Sequence, residues 1–170
     1  MRQCLHSQIL RKKQLLTPDL PGAIIAAATH KPKHLFAVDS VSSRLELAAG
    51  LGAEPLNFVK DKEGMEKRIK EVTEGRGADV VIEVVGLSPA LKTAFDLIRP
   101  WGIISSIGVH NGEVFQPDGY LSFVMLTYQI PWSGNQAYGK NLRVQMGRCP
   151  VRSIFPKALK LLEEKQDLLG

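Results

Sequence analysis

The chain has 170 residues, which is enough for one domain with a single core but too few for a protein of several domains. Hydrophobic residues make up 44% of it and charged residues 23%, which excludes a disordered or fibrous chain. The net charge of +5 arises mainly from four basic residues that precede the first acid, Asp19, since the remaining 18 basic residues face 17 acids; this mixture argues against a nucleic-acid partner.

The first 20 residues differ in composition from the rest of the chain. They are basic, contain no acid before Asp19 and lead into a segment with two prolines at 17–22. We therefore predict a divergent N-terminal segment over 1–20 and a folded domain over 21–170. A basic, acid-free N terminus is also typical of mitochondrial transit peptides, so a mitochondrial location is the alternative to a cytoplasmic one.

From residue 21 onward, short apolar runs alternate with helical patterns, which is typical of a parallel sheet covered by helices. We predict strands at 34–39, 56–59, 78–85 and 102–107, an apolar segment at 120–130 and an edge strand at 142–146. Predicted helices span 23–30, 42–51, 62–74, 88–98 and 155–166, and Ser42 or Ser43 is expected to cap the second of them. The longest apolar run, 23–28, is far shorter than the ~18 residues of a membrane span. The predicted fold class is α/β, without a membrane span.

Two of these elements have the clearest patterns. Met65, Ile69 and Val72 recur at the spacing of one helical face, with charged residues elsewhere in 62–74. Residues 78–85 read ADVVIEVV, a nearly continuous apolar run of the kind that a central parallel strand requires. This strand is therefore expected at the centre of the sheet.

Three strand ends are expected to meet in one crevice, because open parallel sheets bind ligands beyond the carboxyl ends of their strands. These ends carry Asp39, residues 85–86 and residues 108–110. A carboxylate that ends the second strand of a dinucleotide-binding fold accepts hydrogen bonds from the adenosine ribose hydroxyls, which favours NAD over NADP. Asp39 is placed for this role, and the alternative is a solvated acid at a strand end.

Four longer stretches carry more information than any single motif. They read FAVDSVSSRLELAAGLGAEPLN at 36–57, GRGADVVIEVVG at 75–86, ALKTAFDLIRPWGIISSIGVH at 90–110 and FPKALKLLEEK at 155–165. In order and spacing they resemble the medium-chain, zinc-dependent alcohol dehydrogenase and sorbitol dehydrogenase family. The resemblance implies the C-terminal cofactor-binding domain of that family, a partial Rossmann-type doubly wound parallel sheet with helices on both faces. It also implies NAD as the cofactor and, in the family, zinc.

The resemblance implies cofactor-binding roles for seven residues at these strand ends: Asp39, Arg44, Val85, Gly86, Gly108, Val109 and His110. Asp39 would bind the ribose, with Arg44 beside it. The chain at 85–86 would pass the cofactor, and backbone groups at 108–110 would border the nicotinamide. Without a cofactor, Arg44 is an exposed helix residue, the glycines are turn residues and His110 is a loop histidine.

The sequence departs from the family at the phosphate-binding turn. The family has GxGxxG about twenty residues before the ribose-binding acid, but here only Gly22 matches, and Thr17 and Asp19 occupy the first two glycine positions. The carboxylate of Asp19 would repel a diphosphate, and RKK at 11–13 is a poor candidate for a buried central strand. We therefore expect the phosphate cradle to be lost and NAD binding to be weakened or lost. The N-terminal segment either fills the central position of the sheet or is disordered.

The family's zinc ligands lie in a catalytic half that has no counterpart in this chain. Cys4 and Cys149 are far apart and neither lies in a ligand pattern, which also indicates a reducing compartment such as the cytoplasm. Without zinc, nothing in the sequence polarises an alcohol oxygen. We therefore assign no catalytic or metal-binding residue and expect a domain that is inactive alone, either a fragment or the product of a faulty gene model.

Two other functions stay open. One is a non-catalytic interaction domain that pairs with itself or with full-length dehydrogenase subunits through the edge strand at 142–146. The other is a methyltransferase-like domain, whose sheet also carries an acid after its second strand but which also requires a glycine-rich first turn.

Overall fold

The structure is a computed structural model that describes residues 14–16, 21–109 and 130–169. In chain order its elements are β1 (Gln14–Leu16), α1 (Pro21–Ala28), β2 (Leu35–Asp39), α2 (Ser42–Gly50), β3 (Glu54–Asn57), α3 (Lys62–Val72), β4 (Ala78–Glu83), α4 (Ser88–Leu97), β5 (Ile98–Ser106), α5 (Gly134–Gly139), β6 (Arg143–Met146), α6 (Val151–Glu164) and α7 (Gln166–Leu169). Within these residues, six strands form one sheet in the order β3-β2-β1-β4-β5-β6, and each neighbouring pair is parallel. The predicted α/β class with a doubly wound parallel sheet is confirmed.

Strand β1 occupies the central position that the sequence left open. Gln14 lies opposite Leu35 of β2 on one side and opposite Val80 of β4 on the other. The sheet therefore extends beyond the predicted domain start at residue 21, and the inner flanks of β2 and β4 are both paired. The basic residues at 11–13, which argued against a central strand, lie just before this segment.

The sheet is covered on both faces, and β2 shows the alternation most clearly. Phe36 and Val38 pack with α3 and α4 in one core cluster, whereas Leu35 and Ala37 pack with α1 and α2 in another. All five residues of β2 are buried, as an inner parallel strand requires. These two layers of helices fix the carboxyl ends of the strands, where the predicted crevice lies.

The predicted cap of α2 is wrong. Ser42 is the first helical residue, and the N-cap is Val41, which supplies no capping side chain. Instead, Oδ1 of Asp39 accepts hydrogen bonds from the backbone N–H groups of Ser40 and Val41. The turn into α2 is therefore held by the last residue of β2, and neither Ser42 nor Ser43 performs this role.

The C-terminal elements begin earlier than predicted. β5 begins at Ile98 and α6 at Val151, each four residues before its predicted start. β6 lies at the edge of the sheet, as the sequence predicts. The predicted apolar segment at 120–130 falls, except for its last residue, outside the described residues. In the described ranges, no helix is both long enough and apolar enough to cross a membrane.

Candidate functional site

A cleft of about 230 Å³ opens at the carboxyl edge of the sheet, between the ends of β2 and β4 and the first turns of α4. Apolar side chains form most of its lining. Among the lining residues are Asp39, Ser40, Arg44, Phe58, Glu83, Val85 and Leu87. Parallel sheets bind ligands at such a position, where the strand order reverses, in apolar clefts that contain a few fixed polar groups.

Asp39 ends β2 at the polar edge of this cleft. Its side chain is only 8% exposed, and its Oδ2 lies 3.5 Å from Nη1 of Arg44. Its Oδ1 accepts two backbone hydrogen bonds, from Ser40 N and Val41 N, both at 2.7 Å. An ionised carboxylate offers about four acceptor sites, so this one is held in place and still has capacity for ligand hydroxyls.

Two basic side chains reach the start of α2, and one of them contacts that carboxylate. Arg44, in the first turn of α2, has a half-exposed side chain that reaches Asp39. Lys60 follows β3, and its Nζ donates to Oγ of Ser42 at 3.4 Å. The polar edge of the cleft thus combines one buried acid with one basic side chain, Arg44, which suits a ligand that offers hydroxyl donors to the acid and an acceptor to the cation.

The wall opposite Asp39 follows β4. Val85 and Leu87 line the cleft there. Glu83, the last residue of β4, is 1% exposed, and its carboxylate accepts hydrogen bonds from Gly86 N and Ser106 Oγ, both at 2.6 Å. Glu83 was not among the predicted site residues, although the sequence contains a signal for it. A single acid within an apolar central strand requires hydrogen-bond partners inside the fold.

Gly86, Gly108 and Val109 form a backbone contact beside the cleft. Gly86 has a φ of +79°, and a Cβ at this position would lie 2.5 Å from the carbonyl oxygen of Val109. A Cβ on Gly108 would lie 2.1 Å from the backbone nitrogen of Gly86. Both positions therefore require glycine for a close approach of two loops. His110 lies outside the described residues.

The predicted site residues thus fall into two groups. Asp39, Arg44 and Val85 surround one cleft, and the contact of Gly86 with Gly108 and Val109 adjoins it. In 21–109 and 130–169, no three His, Cys, Asp or Glu side chains form a group that could hold a metal ion. This part of the chain therefore does not fit the zinc ion that the family resemblance implies.

Known proteins are similar to this chain in sequence and in fold. Residues 22–164 match the family model described as zinc-binding dehydrogenase. A zinc-type alcohol dehydrogenase B of Aspergillus flavus is 63% identical over 148 residues, which cover 87% of this chain and 31% of that protein. A medium chain reductase/dehydrogenase of Acremonium sp is 53% identical over 100 residues, covering 58% of this chain and 34% of that protein. The solved alcohol dehydrogenase TADH from Thermus sp. ATN1 has a TM-score of 0.69 and 27% identity, covering 94% of this chain and 42% of that one.

The chain spans about a third of the length of each of these two curated relatives. The matched region contains five of the six described strands, β2 to β6, the helices that pack on both faces of the sheet and the cleft with Asp39. Sequence and fold therefore relate this chain to one part of those longer proteins.

Proposed function

Because the chain belongs to the zinc-binding dehydrogenase family of medium-chain alcohol dehydrogenases and matches its C-terminal cofactor-binding domain, we propose that its cleft binds the adenosine half of NAD. The main support for this proposal is the position of Asp39. A buried acid at the end of the second strand, held by two backbone amides, is placed to accept hydrogen bonds from ribose hydroxyls. The apolar side chains of Phe58, Val85 and Leu87 suit the faces of an adenine ring. The family match favours this function over the methyltransferase-like alternative.

We also propose that the chain binds the diphosphate of NAD only weakly. Dinucleotide-binding folds bind that group with a glycine-rich turn at a helix N-terminus. Thr17 and Asp19 stand at two of the three glycine positions, and Gly22, in the first turn of α1, stands at the third. We therefore expect the adenosine half to supply most of the binding free energy, so that the dissociation constants of AMP and NAD agree within about tenfold.

Isothermal titration calorimetry with AMP, NAD and NADP tests the proposal. Asp39→Asn removes the charge of the acid while keeping its size, and Glu46→Gln makes the same change at an exposed position on α2. We expect Asp39→Asn to raise the Kd for AMP and NAD by about tenfold or more, because a hydrogen bond to a charged group contributes ~1.5–3 kcal/mol. Glu46→Gln should leave both Kd values unchanged. The wild type should bind NADP more weakly than NAD, because Asp39 repels the additional phosphate.

Two results contradict the proposal. One is the absence of AMP and NAD binding by a folded wild-type chain. The other is an equal Kd for wild type and Asp39→Asn, with circular dichroism showing that both are folded. An equal Kd for NAD and NADP would contradict only the claim that Asp39 selects NAD over NADP.

We further propose that this chain alone does not oxidise alcohols. Zinc in such enzymes polarises the alcohol oxygen, but the described residues offer no cluster that fits the metal, so we assign no reaction step to them. Purified chain incubated with NAD and an alcohol should form no NADH, as followed by absorbance. NADH formation without an added protein would contradict this part of the proposal.

A second candidate function is pairing, either with another copy of the chain or with a full-length dehydrogenase subunit. β6 favours it, because this strand lies at the edge of the sheet and all four of its residues are exposed. Val144 and Met146 are 40% and 41% exposed. An exposed edge strand with apolar side chains is a template for further strand pairing.

Size-exclusion chromatography with light scattering tests the pairing. The wild type should form a dimer at high concentration, and Val144→Lys should shift it towards the monomer by placing a charge on the edge. Val59→Lys, at an exposed position after β3, is the matched control and should leave the mass unchanged. A strictly monomeric wild type contradicts self-pairing, and mixing it with a full-length family member then tests the heterologous form.

We place the protein in the cytoplasm, with the mitochondrion as the alternative. The alternative depends on the basic N terminus, which contains no acid before Asp19. Microscopy of the chain fused at its C terminus to a fluorescent protein separates the two. Co-localisation with a mitochondrial marker would contradict the cytoplasmic assignment.

A further inference from the structure

Glu83 is a buried carboxylate at the carboxyl edge of the sheet. It is 1% exposed and follows the apolar residues Val80, Val81 and Ile82 of β4. Moving an ionised carboxylate out of water is costly unless hydrogen bonds replace the lost hydration. The fold must therefore supply its partners.

These partners belong to two different segments. Oε1 of Glu83 accepts a hydrogen bond from the backbone N of Gly86, and Oε2 accepts one from Oγ of Ser106 in β5, both at 2.6 Å. The backbone carbonyl of Glu83 accepts from Ile107 N at 2.8 Å and from Gly108 N at 3.2 Å. One residue thus joins the end of β4 to its own following loop and to the end of β5.

The loop held in this way is one wall of the cleft. Val85 and Leu87 flank Gly86, and both line the cleft. Gly86 adopts a φ of +79°, which few other residues adopt, and its backbone packs closely against Val109. The Glu83 carboxylate is therefore linked to this wall through its hydrogen bond from the backbone N–H of Gly86.

We propose that Glu83 is a positioning residue whose carboxylate holds residues 85–87 in the shape that accepts adenosine. It acts through the backbone of Gly86 rather than by contact with the nucleotide. The part that concerns the ligand rests on the proposed function, whereas the anchoring of the loop is a property of the chain alone.

Variants of the full 170-residue chain separate positioning from stability, with AMP as the probe. Glu83→Gln keeps an acceptor for Gly86 N–H and offers its amide NH₂ to the Ser106 hydroxyl, so the Kd should stay within about twofold of wild type. Glu83→Ala removes that acceptor and should raise the Kd about tenfold. Asp79→Ala is the control, because it removes the ion-pair partner of Arg99 at the other end of β4. It should lower the thermal unfolding midpoint and leave the Kd unchanged.

Hydrogen exchange of the Gly86 amide, followed by NMR, is a second measurement that requires no nucleotide. Relative to the Val81 amide, it should accelerate at least about tenfold in Glu83→Ala and stay near the wild-type rate in Glu83→Gln. If the wild type binds no AMP, the proposed function fails and the exchange rates alone decide whether Glu83 anchors the loop. If Glu83→Ala does not fold, Ser106→Ala replaces it, with an expected rise of about threefold in both Kd and exchange rate.

Three results overturn the proposal. The first is wild-type AMP affinity in folded Glu83→Ala, or in Ser106→Ala where that variant replaces it. The second is a wild-type exchange rate of the Gly86 amide in the same variant. The third is a rise in Kd in Asp79→Ala equal to that in Glu83→Ala, because the effect would then be one of stability.

Discussion

Two regions of the described chain differ in how completely they bury their apolar side chains. In the packed region, residues 21–109, four strands and four helices enclose two core clusters, and Phe36 is 2% exposed. In the open region, residues 130–167, no described side chain is buried, and Tyr138 is 84% exposed. The cleft with Asp39 belongs to the packed region, so ligand binding and surface pairing are expected to reside in different parts of the molecule.

Helix α6 exposes several apolar side chains in the open region. Val151, Phe155 and Leu159 follow one another at four-residue spacing, and they are 63%, 59% and 42% exposed. Leu161, on another side of the helix, packs against the core cluster beneath α1 and α2. α6 is therefore attached to the packed region along one side, while an apolar stripe remains at its surface.

The open region is also joined to the packed region by Lys140. Its Nζ donates to the backbone oxygens of Phe95 and Ile98, the latter at 3.1 Å, and lies 4.4 Å from the centre of the Phe95 ring. Trp132 stacks on the same ring at 4.8 Å. The ammonium group thus satisfies the carbonyl of Phe95 in the last turn of α4, where carbonyl groups lack partners within the helix, and also the carbonyl of Ile98 at the start of β5.

The largest expected difference between the regions concerns two phenylalanines. Phe36→Ala removes a ring from the core and should lower the free energy of unfolding by ~3–5 kcal/mol. Phe155→Ala removes the same atoms from a 59% exposed position and should change it by no more than ~0.5 kcal/mol. Urea unfolding followed by circular dichroism measures both. Equal losses in the two variants would show that α6 is buried in solution, which contradicts the comparison.

A smaller effect is expected where the two regions meet. Lys140→Met keeps the aliphatic stem and removes the charged donor, so it should lower the free energy of unfolding by ~1–3 kcal/mol, as the loss of a partly buried hydrogen-bonding partner does. Lys160→Met, on the exposed surface of α6, is the matched control and should have no measurable effect. If both lysine variants unfold at the same urea concentration, Lys140 does not stabilise the junction.

The same lysine gives the stability a pH dependence. Burial lowers the pKa of Lys140 below its ordinary value of 10.5. Between the lowered pKa and 10.5, the unfolded chain binds more protons than the folded chain, so stability should rise with pH through this window. Lys140→Met should lack this contribution. The measurement is the difference in urea midpoint between variant and wild type, followed as a function of pH across that window. A difference that is independent of pH would contradict the prediction.

The smallest expected effect concerns how helices begin in the two regions. α3 has an N-cap at Asp61, whose side chain accepts from Gly64 N at 2.7 Å, whereas α6 begins after Pro150, which supplies no capping side chain. Asp61→Ala should lower the free energy of unfolding by ~1 kcal/mol. Asp167→Ala, at an exposed position beyond α6, should change it less. Reversal of that order in urea unfolding would contradict the assignment of the cap.

The elements predicted from sequence are those in which several local signals agree. In α3, the spacing of Met65 and Ile69 places both residues in the core, and they are buried as expected. The run ADVVIEVV at 78–85 contains β4, which has strands on both sides. Asp39 could be placed at the edge of the cleft, because the apolar run before it fixes where the strand ends. These features depend on patterns within a few residues of the chain.

The features that sequence reasoning did not predict depend on distant parts of the fold. Gln14–Leu16 is too short for a periodic pattern, and its strand conformation comes from pairing with two neighbours. Glu83 looks like an interruption of an apolar run until Ser106 and Gly86 are placed beside it. Trp101 has a φ of +61°, which nothing in the surrounding sequence indicates, and its backbone N–H donates to Lys140 O at 2.7 Å.

The most direct test of the central claim is amide hydrogen exchange of the whole chain, measured by NMR with and without saturating NAD. Binding of the adenosine half in the cleft should slow exchange at residues 39–44 and 83–87 and leave the amides of α6 unchanged. Slower exchange confined to the open region, or unchanged exchange at 39–44 under saturating NAD, would contradict the claim that Asp39 and the wall after β4 form the nucleotide site.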